Sequence, residues 1–224
     1  MTSYWVRWHQ AYDDPANMNS RRLEAVVAML AGVFATAPGG PIRVLSLCSG
    51  DGRDLSGALA GHPRAGDVTG VLVEADPELA AGAAANLAVV APGFAVRCAD
   101  AGDPASFADQ LPADVLLLCG IFGNVAPTDI AATVAAVPAL ASPGAAVLWT
   151  RHRRHPDITS WIRQRFHDAG CPAAAWVSPG YGGFALGLQR VGPHATPEPV
   201  PARLFTFTTT AGEWGAQAGA GRPA

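Results

Sequence analysis

The sequence contains no lysine, few charged residues and no long apolar run. All 15 basic residues are arginine, and together with the abundance of alanine this indicates genomic base composition rather than a functional choice. The net charge is −3 and the pI is about 6, so no basic surplus is available to bind a phosphate backbone. This disfavours a nucleic-acid partner. Because the apolar runs have only the length of sheet strands, no membrane span is predicted either.

Cysteine is also scarce, and its spacing excludes the usual metal and disulfide frameworks. The four cysteines are isolated in the chain, with no Cys-x-x-Cys pair. We therefore expect free thiols and no metal site. Residues 1–8 lack the apolar core of a secretory signal, so a cytoplasmic protein is expected. Half of the residues are hydrophobic, which excludes disorder of the whole chain and suits one domain with a full core.

One stretch near the first quarter of the chain organises the remainder of the sequence. Residues 42–47 are rich in branched apolar side chains, and Ser49-Gly50-Asp51-Gly52 follows after Cys48. A helix-forming segment then begins at Asp54. Strand, glycine turn and helix is how α/β proteins build nucleotide sites, because glycine lets backbone N–H groups approach a ligand closely. The alternative is a plain tight connection between strand and helix.

Three further apolar runs end in groups suited to a ligand site. Residues 67–74 end at Glu74, which lies 24 positions after Gly50, and residues 94–100 end at Asp100. Residues 113–119 run into Gly120. The carboxyl ends of parallel strands share one edge of a sheet, so these groups are predicted to meet there. In nucleotide-binding proteins of this type, an acidic residue about 20 positions after the glycine turn typically hydrogen-bonds the ribose hydroxyls.

Taken in order, these segments resemble the class I S-adenosylmethionine-dependent methyltransferases. The resemblance covers roughly residues 20–191 and is carried by residues 44–52, 73–79, 98–101, 113–120 and 140–148. It implies an α/β fold, a Rossmann-like three-layer α/β/α sandwich with a seven-stranded, mostly parallel sheet. The implied strand order is 3-2-1-4-5-7-6 with strand 7 antiparallel. Leu55 stands where dinucleotide-binding proteins need a third glycine, which favours S-adenosylmethionine as cofactor over NAD.

The resemblance also implies a set of cofactor-binding residues. Glu74 is expected to hold the ribose hydroxyls, Asp100 the adenine amino group, and Gly50 and Gly52 to allow close approach of the methionine part. Arg22 is a candidate for the methionine carboxylate, the alternative being a solvated arginine. The full predicted set is Tyr12, Arg22, Ser49, Gly50, Asp51, Gly52, Glu74, Ala75, Asp100, Ala101, Cys119, Gly120 and Phe122.

Candidate groups for the chemistry follow the fourth and fifth strands. Asn124 offers both a hydrogen-bond donor and an acceptor, although a simple turn residue would look the same. Residues 151–155 form a dense cluster of three arginines and two histidines. We expect His152 and Arg154 to face the substrate, His152 as a proton acceptor and Arg154 on an anionic substrate group. The alternative is a solvated charged loop.

The chain is predicted to divide into an N-terminal lid over residues 1–20, a methyltransferase domain over 21–210 and a flexible tail over 211–224. Trp5, Trp8 and Tyr12 recur at helical spacing, so they share one face. That face either closes over the site or packs on the core or on a partner subunit, as in a homodimer.

The sequence also predicts where several helices and strands begin and end. A helix from Arg21 to Ala35 is capped by residues 19–20, Asp76 caps a helix over 78–90, and a short helix covers 103–110. Strand five spans 146–149. Residues 204–208 form a strand-like segment on the sheet edge.

The function that these predictions favour is methyl transfer from S-adenosylmethionine to a small molecule that can carry an anionic group. No metal is needed for such a reaction, and no nucleic acid or membrane is expected as partner. Two alternatives stay open. One is a catalytically silent S-adenosylmethionine-binding protein with a regulatory or scaffold role, and the other is a nicotinamide-dependent oxidoreductase.

Overall fold

The computed structural model describes residues 3–180 and 183–208, so the predicted tail over 211–224 lies outside the described residues. Its centre is a seven-stranded sheet with the strand order β3-β2-β1-β4-β5-β7-β6. β7 runs antiparallel to both of its neighbours, and the other neighbouring pairs are parallel. The strands are β1 Ile42–Leu47, β2 Val68–Glu74, β3 Phe94–Cys98, β4 Ala113–Leu118, β5 Ala141–His152, β6 Ala173–Val177 and β7 Phe184–Arg190. The predicted fold and strand order are confirmed.

Helices cover both faces of the sheet. They are α1 Tyr4–His9, α2 Met18–Thr36, α3 Arg53–Leu59, α4 Pro77–Val90, α5 Pro127–Leu140 and α6 Thr159–Asp168. Successive strand residues point to opposite faces, so Val44 packs with the cluster that holds Leu30 of α2. Its neighbour Leu45 packs with the cluster that holds Ile130 of α5 and Phe166 of α6. Burial on both faces explains why the central strands are continuous apolar runs.

The helix before β1 starts earlier than the sequence indicated. α2 begins at Met18, and the side chain of Asn17 caps it by accepting a hydrogen bond from Asn19 N at 2.9 Å. Ser20, predicted as part of the cap, instead donates its hydroxyl to the carbonyl of Asp14 at 2.6 Å. It thereby ties the preceding segment to α2. The predicted cap of α4 is confirmed, since Asp76 accepts from Glu78 N at 2.9 Å.

The region around β5 differs most from the predicted elements. α5 was not predicted, because its alanine and valine residues suit helix and strand alike and Pro138 interrupts the pattern. β5 follows it directly and is longer than the predicted 146–149, reaching His152. Arg151 and His152 are thus strand residues, fixed by pairing with β7 rather than carried on a loop. The predicted helix over 103–110 is two short 3-10 turns, Pro104–Ser106 and Ala108–Gln110.

Residues 203–208, which we call the C-terminal strap, do not add to a sheet edge as predicted. The strap crosses the loops after β3 and β4, where Leu204 N donates to the Gly102 carbonyl and Thr208 N to the Asn124 carbonyl, both at 2.9 Å. Leu204 and Phe205 are buried in the core on the α5 side. That burial explains why the strap lies over the site end of the sheet. Within the described residues, no helix is long and apolar enough to cross a membrane.

Candidate functional site

A cavity of about 470 Å³ opens at the carboxyl ends of the central strands. Its size lies within the ~300–1,000 Å³ usual for small-molecule sites. Most residues predicted to bind the cofactor line it: Tyr12, Arg22, Ser49, Gly50, Asp51, Glu74, Ala75, Asp100, Ala101, Cys119 and Gly120. Asn124 also lines it. We call it the first cavity.

The turn after β1 is folded by alternating left-handed residues. Cys48, Gly50 and Gly52 have φ values of 55°, 58° and 66°. A side chain on Gly50 would overlap the imidazole of His9, since an added Cβ would stand 2.2 Å from its Nε2. Gly52 does not belong to the cavity wall, contrary to its predicted role. An added Cβ there would instead press on Leu72 and Ala83, at 3.1 and 3.3 Å, so Gly52 lets α3 start close to β2 and α4.

Glu74 is held rigidly at the end of β2. Its Oε2 accepts from Gly50 N at 2.8 Å and its Oε1 accepts from Asp76 N at 2.9 Å. The residue is only 8% exposed. An ionised carboxylate has about four acceptor positions. Two of them therefore remain for hydroxyl groups in the cavity.

Asp100 marks another wall of the cavity, in the loop after β3. Its Oδ1 accepts from Gly102 N at 2.8 Å, and its Oδ2 accepts from the guanidinium of Arg203 at 2.8 Å. The C-terminal strap therefore orients this carboxylate. Sequence reasoning missed the contact because the two residues are far apart in the chain.

Arg22 and Asp54 bring opposite charges to the wall of the first cavity. The Arg22 guanidinium donates to the Tyr12 hydroxyl and lies over the rings of Trp8 and Tyr12, at 5.6 and 5.8 Å from their centroids. Asp54 is half-buried in the same cavity wall, and loss of solvation there raises its pKa to about 6, with the charge of Arg22 acting against that rise. Asp54 was not predicted as a site residue. The sequence feature that could have identified Asp54 is its place two positions after Gly52, as a second carboxylate close to Asp51.

Aromatic side chains from the two ends of the described chain cover the cavity. Trp5, Trp8 and His9 come from α1, and Phe207 comes from the C-terminal strap. The rings of Trp5 and Phe207 meet edge to face with centroids 5.6 Å apart. His9 and Phe207 were not predicted. Nothing local in the sequence distinguishes Phe207 from an ordinary apolar residue.

Phe122 lies away from the cavity, although it was predicted to contact the adenine or the substrate. It is fully buried, with its ring centroid 6.0 Å from that of Trp149 and 6.3 Å from that of Phe166. The turn after β4 explains this placement, because Asn124 Nδ2 donates to the Gly120 carbonyl at 2.7 Å and closes the loop on itself. The closed turn points Phe122 into the core and Asn124 towards the cavity.

A second pocket, of about 240 Å³, lies beside the first cavity. The two share the wall residues Trp8, Arg22, Gly120 and Asn124. Both His152 and Arg154 line the second pocket, not the first cavity. Arg153 points elsewhere, donating to Asp157 at 2.8 Å and to the Ser178 hydroxyl at 2.9 Å.

His152 is uncharged at neutral pH. Burial lowers its pKa to about 4, and the positive charges of Arg154 and Arg151 act in the same direction. Its Nδ1 is buried and has no hydrogen-bond partner among the described residues. The thiol of Cys119 is uncharged as well, because burial raises its pKa to about 12. The imidazole of His152 and the thiol of Cys119 are therefore both neutral groups in the walls of these pockets at neutral pH.

Comparisons with solved structures, but not with sequences, find proteins of the same architecture. No protein-family model and no curated protein sequence matches this chain. Among solved structures, an O-methyltransferase family protein from Burkholderia thailandensis superposes with a TM-score of 0.63 at 20% identity, over 82% of this chain. The chain spans only 59% of the length of that protein.

Two further structures are similar over most of their own length. Magnesium protoporphyrin IX methyltransferase from Synechocystis PCC 6803, with bound S-adenosylmethionine, gives a TM-score of 0.61 at 13% identity, over 84% of this chain and 91% of that one. Fibrillarin from Aeropyrum pernix, also with bound S-adenosylmethionine, gives 0.54 at 18% identity, over 74% of each chain. At such identities the similarity establishes the fold, which is that of the class I methyltransferases.

Proposed function

With the class I methyltransferase fold as premise, we propose that this protein transfers a methyl group from S-adenosylmethionine to a small-molecule acceptor. The observation that supports the proposal is the first cavity at the carboxyl ends of the strands. Its walls include the rigidly held Glu74 and two groups of opposite charge, Arg22 and Asp54. Open α/β sheets bind ligands at this edge, where the strand order reverses. β1 has β2 on one side and β4 on the other, so the reversal lies here.

The side chains fit the parts of this cofactor. Glu74 keeps acceptor positions for two ribose hydroxyls, and the wall at Asp100 and Ala101 suits the adenine. The other end of the cofactor is an α-amino acid, which carries a carboxylate and an ammonium group. Arg22 and Asp54 offer one opposite charge for each.

The charges of the first cavity favour a cationic ligand over a dinucleotide. Its walls carry the carboxylates of Asp51, Asp54, Glu74 and Asp100, with Arg22 and Arg53 as the described cations. Asp51 is paired with Arg53 and Asp100 with Arg203, so Glu74 and Asp54 are the carboxylates that face a ligand, opposite Arg22. A sulfonium is attracted by such walls and a pyrophosphate is repelled. The Gly50 amide also donates to Glu74, so a phosphate would have to compete for it.

S-adenosylmethionine supplies an electrophilic methyl group on a sulfonium, which is already a good leaving group. Bound in the first cavity, it would give up this methyl group to the acceptor atom as the carbon–sulfur bond breaks and leaves its electron pair on sulfur. The protein mainly has to position the two reactants, an effect worth up to ~7–11 kcal/mol. The second pocket shares a wall with the first cavity and can hold the acceptor there. The neutral His152 can accept the acceptor's proton through a ring nitrogen.

Calorimetric titration with S-adenosylhomocysteine tests the cofactor assignment. Glu74→Ala is expected to weaken binding by about 1.5–3 kcal/mol, the scale of hydrogen bonds to a charged group. Glu78→Ala, in the first turn of α4 and outside the cavity wall, is the matched control and should bind as the wild type does. Circular dichroism checks that both variants are folded. Unchanged affinity in a folded Glu74→Ala protein would remove Glu74 from the site.

The same titration with NAD separates the oxidoreductase alternative, for which NAD would bind more tightly than S-adenosylhomocysteine. Incubation with methyl-labelled S-adenosylmethionine and a panel of phenols, amines and thiols separates an enzyme from a silent binding protein. We expect label in at least one acceptor. Tight cofactor binding without transfer to any of them would favour the regulatory or scaffold alternative.

A further inference from the structure

The second pocket has walls of one charge sign. Three arginines line it, Arg22, Arg151 and Arg154, and none of its described wall residues is acidic. Arg22 also borders the first cavity, where the proposed function assigns it to the cofactor carboxylate. Arg151 and Arg154, by contrast, line the second pocket and not the first cavity. Like charges brought together in a confined space repel each other unless an anion offsets them.

Arg151 is the most buried of these cations. The residue is 9% exposed, and its guanidinium donates to the Phe122 carbonyl. Its Nε is buried and has no hydrogen-bond partner among the described residues. A buried charge is costly unless it is paired and hydrogen-bonded. Its backbone is fixed in the sheet, since β5 pairs Arg151 with Ala185 of β7.

The one acidic group whose charge reaches Arg151 among the described residues is committed to other partners. Asp157 accepts from Arg153 Nε at 2.8 Å, and its other oxygen accepts from the Thr159 hydroxyl at 2.7 Å and from Thr159 N at 3.0 Å. These contacts turn its carboxylate towards the start of α6, and it is not part of the pocket wall. Asp157 therefore moderates the positive charge near Arg151 without neutralising the pocket.

We infer that the second pocket binds a carboxylate group of the methyl acceptor, held by Arg151 and Arg154. A guanidinium presents a planar fork of N–H donors that matches a carboxylate. Trp8 and Met18 line the same pocket and provide apolar surface for the carbon skeleton next to that group. The pocket volume of about 240 Å³ suits a small organic acid and not a polymer. This inference rests on the proposed function, which makes the occupant an acceptor.

Occupation of the pocket has a consequence for His152. The groups that act on its charge are Arg151, Arg154, Asp157 and the backbone of Gly123, and burial and the two arginines hold its pKa down to about 4. A bound carboxylate offsets the two arginines, so the pKa of His152 rises, while burial still holds it below its usual value. An anionic acceptor thereby makes the imidazole a stronger proton acceptor in the complex. A neutral acceptor leaves it as it is.

Benzoate and benzamide form a matched probe pair, because they share size and shape and differ in charge. Their binding is measured by calorimetry, both without and with saturating S-adenosylhomocysteine. We expect benzoate to bind at least about 10-fold more tightly than benzamide, as for a charge-assisted contact. Arg154→Gln is expected to lose most of this preference. Arg154 is exposed, so the variant does not depend on repacking the core.

Arg43→Gln is the control variant, since it removes the same charge at the opposite end of β1, in an exposed pair with Asp114. It should keep the preference for benzoate. In parallel, a nuclear magnetic resonance titration of His152 should show its pKa rising when benzoate is added to the wild type. The rise should be absent with benzamide and reduced in Arg154→Gln.

The outcomes separate the inference from the proposed function. Equal binding of benzoate and benzamide, no binding of benzoate, or full preference retained in Arg154→Gln would overturn the inference. Such a result together with tight binding of S-adenosylhomocysteine would leave the proposed function in place. If S-adenosylhomocysteine does not bind, the proposed function fails, whereas a preference for benzoate measured without it still identifies an anion site.

Discussion

Glu74 and Asp54 are both carboxylates of the first cavity, but their surroundings differ. Glu74 accepts hydrogen bonds from two backbone amides, which fix the orientation of its carboxylate. Asp54 lies at the start of α3, where burial outweighs its hydrogen bond from Leu55 N at 2.8 Å and raises its pKa to about 6. Glu74 is thus suited to be a fixed acceptor, and Asp54 is a group whose charge depends on pH and ligand.

The raised pKa of Asp54 predicts that cofactor binding depends on pH. Above about pH 6 the carboxylate is ionised and attracts the ammonium group, and below that pH it is increasingly protonated. A bound cation lowers the pKa again, so S-adenosylmethionine should bind about 10-fold more weakly at pH 5 than at pH 7.5. Asp54→Asn should flatten this dependence. Calorimetry across that range measures it, and an equally steep profile in the variant would contradict the role of Asp54.

The raised pKa of Asp54 also makes the stability of the fold depend on pH. The folded pKa of about 6 exceeds the usual carboxyl value, so between about pH 4 and 6 the folded state holds the proton more tightly than the unfolded state does. The contribution of Asp54 to the free energy of unfolding therefore falls as pH rises through this window. Asp54→Asn should be more stable than the wild type at pH 7 and similar to it at pH 4. Thermal unfolding at the two pH values tests this, and an equal or lower Tm in the variant at pH 7 would contradict it.

At the residue scale, the sequence predicts where a residue lies along an element better than where its side chain points. Glu74 could be placed because it ends an apolar run at a fixed distance from a glycine turn. Phe122 and Asn124 sit in one short turn, yet one points into the core and the other to the cavity. That outcome depends on a hydrogen bond within the turn and on room beside Trp149 and Phe166, and neither is visible in the local sequence.

At the element scale, α1 and the C-terminal strap together form the cover of the first cavity. None of the α1 residues is fully buried, which suits an element that lies over a site and not within the core. The strap is anchored through Leu204 and Phe205 and meets α1 through the Trp5–Phe207 contact. We propose that α1 and the turn Gln10–Asp13 are the lid that was predicted for residues 1–20.

Deletion of residues 1–13 tests the lid. It leaves α2 whole, since that helix begins at Met18. We expect the affinity for S-adenosylhomocysteine to fall by more than about 10-fold through loss of Trp5, Trp8, His9 and Tyr12, with only a small change in Tm. As a control, Trp161→Ala removes a partly exposed tryptophan on α6 and should leave affinity unchanged. An unfolded truncation, or one with full affinity, would show that α1 is not a lid.

Element boundaries were predicted well where a cap or an apolar run marks them and poorly elsewhere. Asp76 and Pro77 identify the start of α4, and the prediction there was confirmed. α5 has no side-chain cap, and its apolar residues continue directly into β5. The strap has too few residues to show a pattern, and its position depends on contacts with Gly102, Asn124 and Thr133.

At the scale of the whole molecule, the strand order could be predicted because strands and helices alternate along the chain. Such alternation requires parallel strands with helices on both faces, and it places the ends of the parallel strands at one edge. The site therefore follows from topology, with the glycine turn after β1 beside Cys119 and Gly120 after β4. The distribution of charge could not be predicted in this way. The first cavity is mainly acidic and the second pocket is basic, a separation that the net charge of −3 conceals.

The most direct test of the central claim is a crystal structure with S-adenosylhomocysteine. We expect the nucleoside in the first cavity, with its ribose hydroxyls within hydrogen-bond distance of Glu74. We also expect the amino-acid end between Arg22 and Asp54, and the sulfur facing the wall that the first cavity shares with the second pocket. A nucleoside bound elsewhere, or one whose ribose does not contact Glu74, would contradict the account.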